Sequence, residues 1–179
     1  MEPIVIISIV LFIIFLIVII KFNIIVSLRN KVKQSRSSID VYLTQRFDLI
    51  PNLVETVKAY NKHEQETFTK IAELRASYAN TKNLKVGEEL TNKMNTIMLL
   101  SESNPDLKSS DQFLVLQNSL ARIESQLQAA RRIYNGDVTL YNTTIETFPN
   151  SLVAAVFGFK KEELFTIDEY KRENVKIDV

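Results

Sequence analysis

Apolar residues are distributed along this chain in two different ways. From Ile4 to Ile20 they are continuous, with Ser8 as the only polar side chain in seventeen positions, whereas everywhere further on they recur at every third or fourth residue. A continuous run of that length covers roughly 25 Å as a helix, close to the thickness of a bilayer's hydrocarbon core. Phe22, Ile24, Ile25 and Val26 extend it, because the Lys21 ammonium can snorkel to the headgroups. Residues 1–26 are therefore expected to be a transmembrane anchor.

The periodic pattern predicts helices throughout the remainder. Ile25, Leu28, Val32, Ser35, Ile39, Tyr42 or Leu43, and Phe47 form a stripe leading directly out of the anchor, so that anchor and first soluble helix read as one rod. Pro51 interrupts it. It lacks an N–H and disfavours helical geometry at Ile50, while Asp48 can cap a helix beginning beside it. A turn folding the next helix back and a kink within a continuing helix both fit. A second helix is expected to carry Leu53, Val54, Val57, Tyr60, Phe68, Ile71, Leu74 and Tyr78. Asn80 to Asn83 and Gly87 mark a loop, a third helix carries Leu90, Met94, Ile97 and Leu100, and Ser101 to Ser110 with Pro105 form a connection.

The longest pattern runs Phe113, Leu116, Leu120, Ile123, Leu127, Ala130, Tyr134, Val138, Tyr141, Ile145 and Phe148, predicting a helix of some 36 residues. Gly136 within it costs roughly 1 kcal/mol relative to Ala, which suggests a closely approaching backbone or a local weakness. Tyr134 and Tyr141, a heptad apart, read as core residues whose hydroxyls reach the surface. Pro149 ends the helix, and Asn150 or Ser151 can start a short apolar one running to Gly158. That 148–159 segment reads either as a plug closing one end of a bundle or as a small membrane-touching or partner-docking helix. The expected fold is all-α: an N-terminal transmembrane helix, an antiparallel up-and-down four-helix bundle over residues 27–159, and a charged tail over 160–179.

Charge adds orientation. The flank before the anchor offers only Met1, Glu2 and Pro3, whereas Lys21, Arg29, Lys31, Lys33 and Arg36 follow it before the first acid, Asp40. This basic collar predicts an external N-terminus and a cytoplasmic domain in a single-pass membrane protein. A cleaved secretory signal is the competing reading, but the basic residues come after the apolar run and no A-x-A-like site follows. Lipidation has no support, with no cysteine and no Gly at position 2. Residues 40–179 hold 17 of the 22 basic and 20 of the 21 acidic residues, a net −3. That argues against nucleic acid as a partner and for contact between the collar and anionic headgroups.

No constellation carries chemistry. The absence of cysteine removes disulfides, thiolate nucleophiles and thiolate metal sites. His63 is the only histidine and, with Glu64 and Glu66, falls short of a metal site. The three glycines, at 87, 136 and 158, form no phosphate loop, and no serine has a candidate base. The expectation is a protein that is not an enzyme, with no cofactor, no metal and no evident small-molecule substrate. Its expected partners are the bilayer, other proteins and copies of itself.

Taken in order, Ser27-Leu28-Arg29-Asn30, Ile39-Asp40-Val41, Asp48-Leu49-Ile50-Pro51-Asn52-Leu53-Val54 through Lys58, and His63-Glu64 resemble the bacterial LemA family. Asn104-Pro105-Asp106-Leu107-Lys108, Leu116-Gln117, Ala130-Arg131, Tyr134-Asn135, Tyr141-Asn142, Phe148-Pro149 and Gly158-Phe159 continue the resemblance. It implies one N-terminal anchor, a small external N-terminus, an antiparallel four-helix domain and no catalytic residues. Two departures stand out: a tryptophan before the Ile39-Asp40 pair is absent, and so is a proline-containing ending. The function these readings support is a membrane-anchored scaffold or interaction protein. The alternative is a lipid-contacting or remodelling protein that uses the collar and the 148–159 helix.

Overall fold

A computed structural model of the chain describes residues 3–58, 65–102 and 104–165. It contains seven helices among the described residues and no strand: α1 (Pro3–Asp48), α2 (Ile50–Lys58), α3 (Gln65–Thr81), α4 (Leu84–Glu102), α5 (Pro105–Lys108), α6 (Asp111–Glu146) and α7 (Asn150–Phe157). The all-α class expected from the periodicity is what forms. Two compact units divide these elements, and both α1 and α6 contribute to each: one unit holds residues 1–36 with 131–179, the other residues 37–130.

The unit of residues 37–130 is built around an aliphatic and aromatic core. Ile39, Leu43, Phe47, Ile50, Leu53 and Val57 are all buried, at spacings of three or four that continue across Leu49. Leu53 N–H donates to the Leu49 carbonyl and Leu49 N–H to that of Arg46, so hydrogen bonding also passes through the interruption. Pro51 therefore kinks a continuing helical path. The reversal comes later, between α2 and α3, because residues progressing along α3 meet residues receding along α1. Arg75 reaches Phe47 and Asp48, and Lys82 reaches Thr44. The single helix expected from Leu53 to Tyr78 is thus two, α2 and α3; Tyr60, His63 and Glu64 lie outside the described residues.

The kink has a specific partner. In an unbroken helix the N–H of residue 51 would donate to the carbonyl of residue 47, and proline has none. Arg75 Nε donates to that Phe47 carbonyl at 3.2 Å, and Arg75 Nη2 lies 3.4 Å from Asp48 Oδ1. The carboxylate assigned from sequence as a helix cap is thus engaged by a guanidinium of α3. One arginine satisfies the orphaned acceptor and anchors α3 to the kink.

Only Lys82 and Asn83 separate α3 from α4; Lys82 takes φ 49° and Asn83 Oδ1 accepts from Lys85 N–H at 2.9 Å, capping α4. Gly87, expected in this loop, lies inside α4. A Cβ there would sit 3.1 Å from the Tyr78 ring, so the glycine permits close approach of α3 and α4. The Tyr78 ring in turn meets Phe47 edge-on, with centroids 4.8 Å apart. The connection expected over 101–110 contains the short α5, which buries Leu107, and Ser110 Oγ caps α6 by accepting from Phe113 N–H. Arg46 and Glu124 form an ion pair at 2.5 Å, with the arginine side chain largely buried.

In the unit of residues 1–36 and 131–179, α1 enters as an apolar helix whose side chains from Ile4 to Ile17 are 40 % or more exposed. Among the described residues no other part of the protein covers that surface, which is what a helix lying among lipid tails requires. Further along the same unbroken helix, Ile25 and Val32 are buried, as are Tyr134, Val138, Tyr141 and Ile145 on α6. Phe148, predicted to end the α6 stripe, is instead exposed, because α6 stops at Glu146. Among the described residues nothing lies within 4 Å of a Cβ placed at Gly136, so none of them makes the close approach suggested there.

A backbone clamp beside the basic collar

The α6 positions that follow the buried tyrosines hold the most specific polar arrangement among the described residues. Tyr134-Asn135 and Tyr141-Asn142 repeat after seven residues, which places the two pairs on one face two turns apart. After α7, Gly158 takes φ 71° and its N–H donates to the Ala155 carbonyl, while Phe159 N–H donates to that of Ala154, closing the helix in a Schellman arrangement. The chain then continues without regular structure through Phe165 along the tyrosine–asparagine face.

Six hydrogen bonds hold it there. Tyr141 OH donates to the Lys160 carbonyl and Tyr134 OH to that of Glu163, both at 2.9 Å. Asn142 Nδ2 donates to the Glu162 carbonyl at 2.9 Å while its Oδ1 accepts from Glu162 N–H at 3.0 Å. Asn135 does the same for Phe165, at 2.9 and 2.8 Å. Every partner in the segment is a main-chain atom. Seven helical residues advance about 10.5 Å and three extended residues about 10 Å, so the heptad on α6 and the three-residue step from Lys160 to Glu163, or Glu162 to Phe165, stay in register. The segment runs antiparallel to α6, its numbers rising as those of α6 fall.

Side chains add charge and aromatic contacts around this clamp. Arg131's guanidinium lies 4.6 Å from the Phe165 ring centroid, and Lys161 pairs with Glu146. Burial raises the pKa of Tyr134 and of Tyr141, opposed in part by Arg36 and Arg29 respectively; Glu162 raises both, and Glu163 also raises that of Tyr134. Both phenols consequently stay protonated as donors at neutral pH. Arg29 and Arg36, themselves seven apart, are thus near enough for their charges to act on the two tyrosines. They are exposed, as are Lys31 and Lys33, while Lys21 is half-buried.

At the membrane end of the same unit, Phe22 packs against both Phe157 and Phe159, with ring centroids 4.7 and 5.7 Å apart. Val153 and Ala154 of α7 are buried, whereas Phe148, Leu152 and Val156, at steps of four, are 61 to 80 % exposed. The short helix thus both packs inward and leaves an apolar stripe uncovered.

Sequence reasoning placed Tyr134 and Tyr141 correctly in the core, but their hydroxyls, expected to reach the surface, end on the carbonyls of Glu163 and Lys160; it also assigned no role to Asn135 or Asn142 and began a charged tail at residue 160. The available signal was the repeated Tyr-Asn dipeptide. Its partner, six residues with no periodicity, carries none. As for catalytic chemistry, no group of three or more His, Cys, Asp or Glu side chains that could hold a metal ion occurs among the described residues.

Comparison with known proteins follows the same lines. The chain is 24 % identical to Protein LemA of Metamycoplasma hominis over 152 residues, covering 82 % of this chain and 69 % of that protein. It is 23 % identical to Magnetosome protein MamQ 2 and to MamQ 1 of Paramagnetospirillum magneticum over 175 residues, 81 % of this chain but 64 % of each of theirs. The chain therefore spans a little under two thirds of those MamQ proteins. The LemA family model matches residues 35–179, which takes in the kinked helix, the α3–α4 pair, the tyrosine–asparagine clamp and α7; the chain belongs to the LemA family.

Proposed function

We propose that this protein is a membrane-anchored helical scaffold, without catalytic activity, that holds its helical body against the inner face of the bacterial plasma membrane for contact with other proteins. The observation carrying this reading is the continuity of α1, which passes from wholly uncovered apolar surface into buried core positions without a break. A helix transmits position where a flexible linker would not, so the body is confined to a fixed height above the bilayer. The excess of basic residues after the span supports a cytoplasmic body and an external N-terminus. On this reading residues 1–26 are the anchor, the collar fixes topology and touches anionic headgroups, and the domain following it is the working part.

Proximity labelling from the full-length protein in native membranes tests the scaffold. A recurrent set of neighbouring proteins is expected; recovery of none across conditions would overturn it. Digestion of intact spheroplasts with an external protease tests orientation, with the body expected to survive.

A second reading, direct lipid contact, is favoured by one observation: Leu152 and Val156 of α7, uncovered like Phe148 just before it, lie on a helix whose Phe157 packs on Phe22 at the end of the span. An apolar stripe at that height would enter the interfacial layer. The chain has no cysteine, so a single Leu152→Cys label in nanodiscs reports depth cleanly. Lipid-borne quenchers are expected to quench it more than a label at exposed Val115; equal quenching would sink this reading.

A further inference from the structure

The clamp on α6 reads main chain and not sequence, and this makes it a docking surface as well as an internal contact. We propose that the Tyr134, Asn135, Tyr141 and Asn142 face binds an extended segment of a partner protein that carries two adjacent carboxylates followed, two residues on, by an aromatic ring, and that residues 160–165 are its displaceable resident occupant.

Three observations lead there. All six hydrogen bonds end on carbonyl or amide groups of the segment, so any extended chain can make them. The resident's side chains contribute little burial: Lys160, Lys161, Glu163 and Leu164 are exposed. What chemical preference exists comes from the surroundings. The charges of Arg36 and Arg29 act at Tyr134 and Tyr141 respectively, both where Glu162 also acts, and Arg131 stacks on Phe165. Two arginines favour an acidic pair and the third favours a ring, which is the pattern Glu162-Glu163-Leu164-Phe165 itself presents.

Neutral hydrogen bonds between partly exposed groups contribute modestly, because water competes for both partners. A tethered occupant nevertheless wins through its high effective concentration, so an incoming segment must match its chemistry or arrive at high local density. Confinement of both proteins to one membrane supplies the second condition. This inference rests on the scaffold reading only for the location of the partner. Peptide binding is measured on the isolated protein, so its failure would leave the labelling result untouched.

The test uses full-length protein in nanodiscs and, as probe, a fluorescent acetylated hexapeptide with the sequence of residues 160–165. Phe165→Ala with Lys161→Glu in the protein weakens the resident segment by removing the arginine stack and the pairing with Glu146. Saturable binding, at least about tenfold tighter to this variant than to the unaltered protein, is expected. Adding Asn135→Asp and Asn142→Asp, which abolishes the amide donors, should remove it. A probe with lysines in place of both glutamates should bind about tenfold more weakly. Unchanged hydrogen exchange at buried positions such as Leu127, together with helical circular dichroism, verifies that each variant remains folded, while exchange at the amides of residues 162 and 165 reports release of the resident segment. Absence of saturable binding to a folded, weakened variant would overturn the proposal, as would binding that survives both aspartate substitutions. Disulfide formation between copies carrying Glu146→Cys and copies carrying Lys161→Cys would instead identify a second copy as the occupant, and overturn the assignment to another protein.

Discussion

The two halves of α6 share one periodicity and do different work. Up to Leu127 its buried positions are Phe113, Leu116, Leu120, Ile123 and Leu127, which serve the unit of residues 37–130 by filling space, while most of the residues beside them are exposed. From Tyr134 the same heptad buries Tyr134, Val138 and Tyr141, and the residues beside the tyrosines are asparagines that grip another piece of backbone. Burial in the first half is non-directional and tolerates exchange among apolar side chains; the second half depends on donors and acceptors aimed at particular atoms. The contrast teaches that a hydrophobic repeat specifies which way a helix faces, while the residue next to each repeat position decides what that face can bind.

The largest effect should come from the space-filling half. Phe113→Ala removes a fully buried ring and is expected to cost about 3–5 kcal/mol in chemical denaturation followed by circular dichroism. A loss under about 1 kcal/mol would mean that this core is not packed as described. On the gripping half, Asn142→Ala should cost less globally, about 1–2 kcal/mol, because the groups it leaves behind are partly solvated. Its signature is local: faster hydrogen exchange at the amide of residue 162, with unchanged exchange at buried positions such as Leu127.

The kink offers a coupled test. Arg75→Leu orphans the Phe47 carbonyl and is expected to cost about 1 kcal/mol, limited by the arginine's partial exposure. Pro51→Ala restores the missing N–H, so the double variant should be less destabilised than the sum of the singles. Strict additivity would rule out the proposed compensation. Next is Gly136→Ala, where a methyl group meets nothing within 4 Å. It should stabilise α6 by about 0.5–1 kcal/mol, and the midpoint of thermal unfolding should rise accordingly.

The smallest effect at neutral pH belongs to Tyr78, whose hydroxyl is buried with no hydrogen-bond partner among the described residues. Tyr78→Phe should be neutral or slightly stabilising. Burial, reinforced by Asp40, pushes its pKa from 10.0 up to about 12. A phenol that ionises less readily when folded holds its proton where the unfolded chain has lost it. Its contribution is therefore fully present below about pH 10 and is lost as pH rises towards 12. Stability of the unaltered protein should fall across that window, and Tyr78→Phe should flatten the fall.

Much of this was written in local pattern. A seventeen-residue apolar run can be buried only by lipid or by a large protein core, and three- and four-residue spacings mark α6, α3 and the outgoing part of α1 without reference to anything distant. Serine before α6 and glycine after α7 act as caps through their own neighbours, so they too were readable. Reading failed where a residue's role depends on a group far along the chain. Gly87 looked like a loop residue because glycine usually breaks helices, and its place within α4 makes sense only beside the Tyr78 ring. Asp48 looked like a cap because it precedes a proline, and its carboxylate instead meets an arginine 27 residues away.

By itself, then, the sequence determined an uncovered apolar helix, an all-α body and the faces that each long helix turns inward, because those follow from the periodicity of hydrophobic burial. Only the tertiary structure decided that the chain reverses after Lys58 and not at Pro51, that Arg75 takes the carbonyl the proline leaves open, and that Asn135 and Asn142 hold residues 160–165. Hydrogen bonds between remote groups depend on geometry that no local spacing encodes.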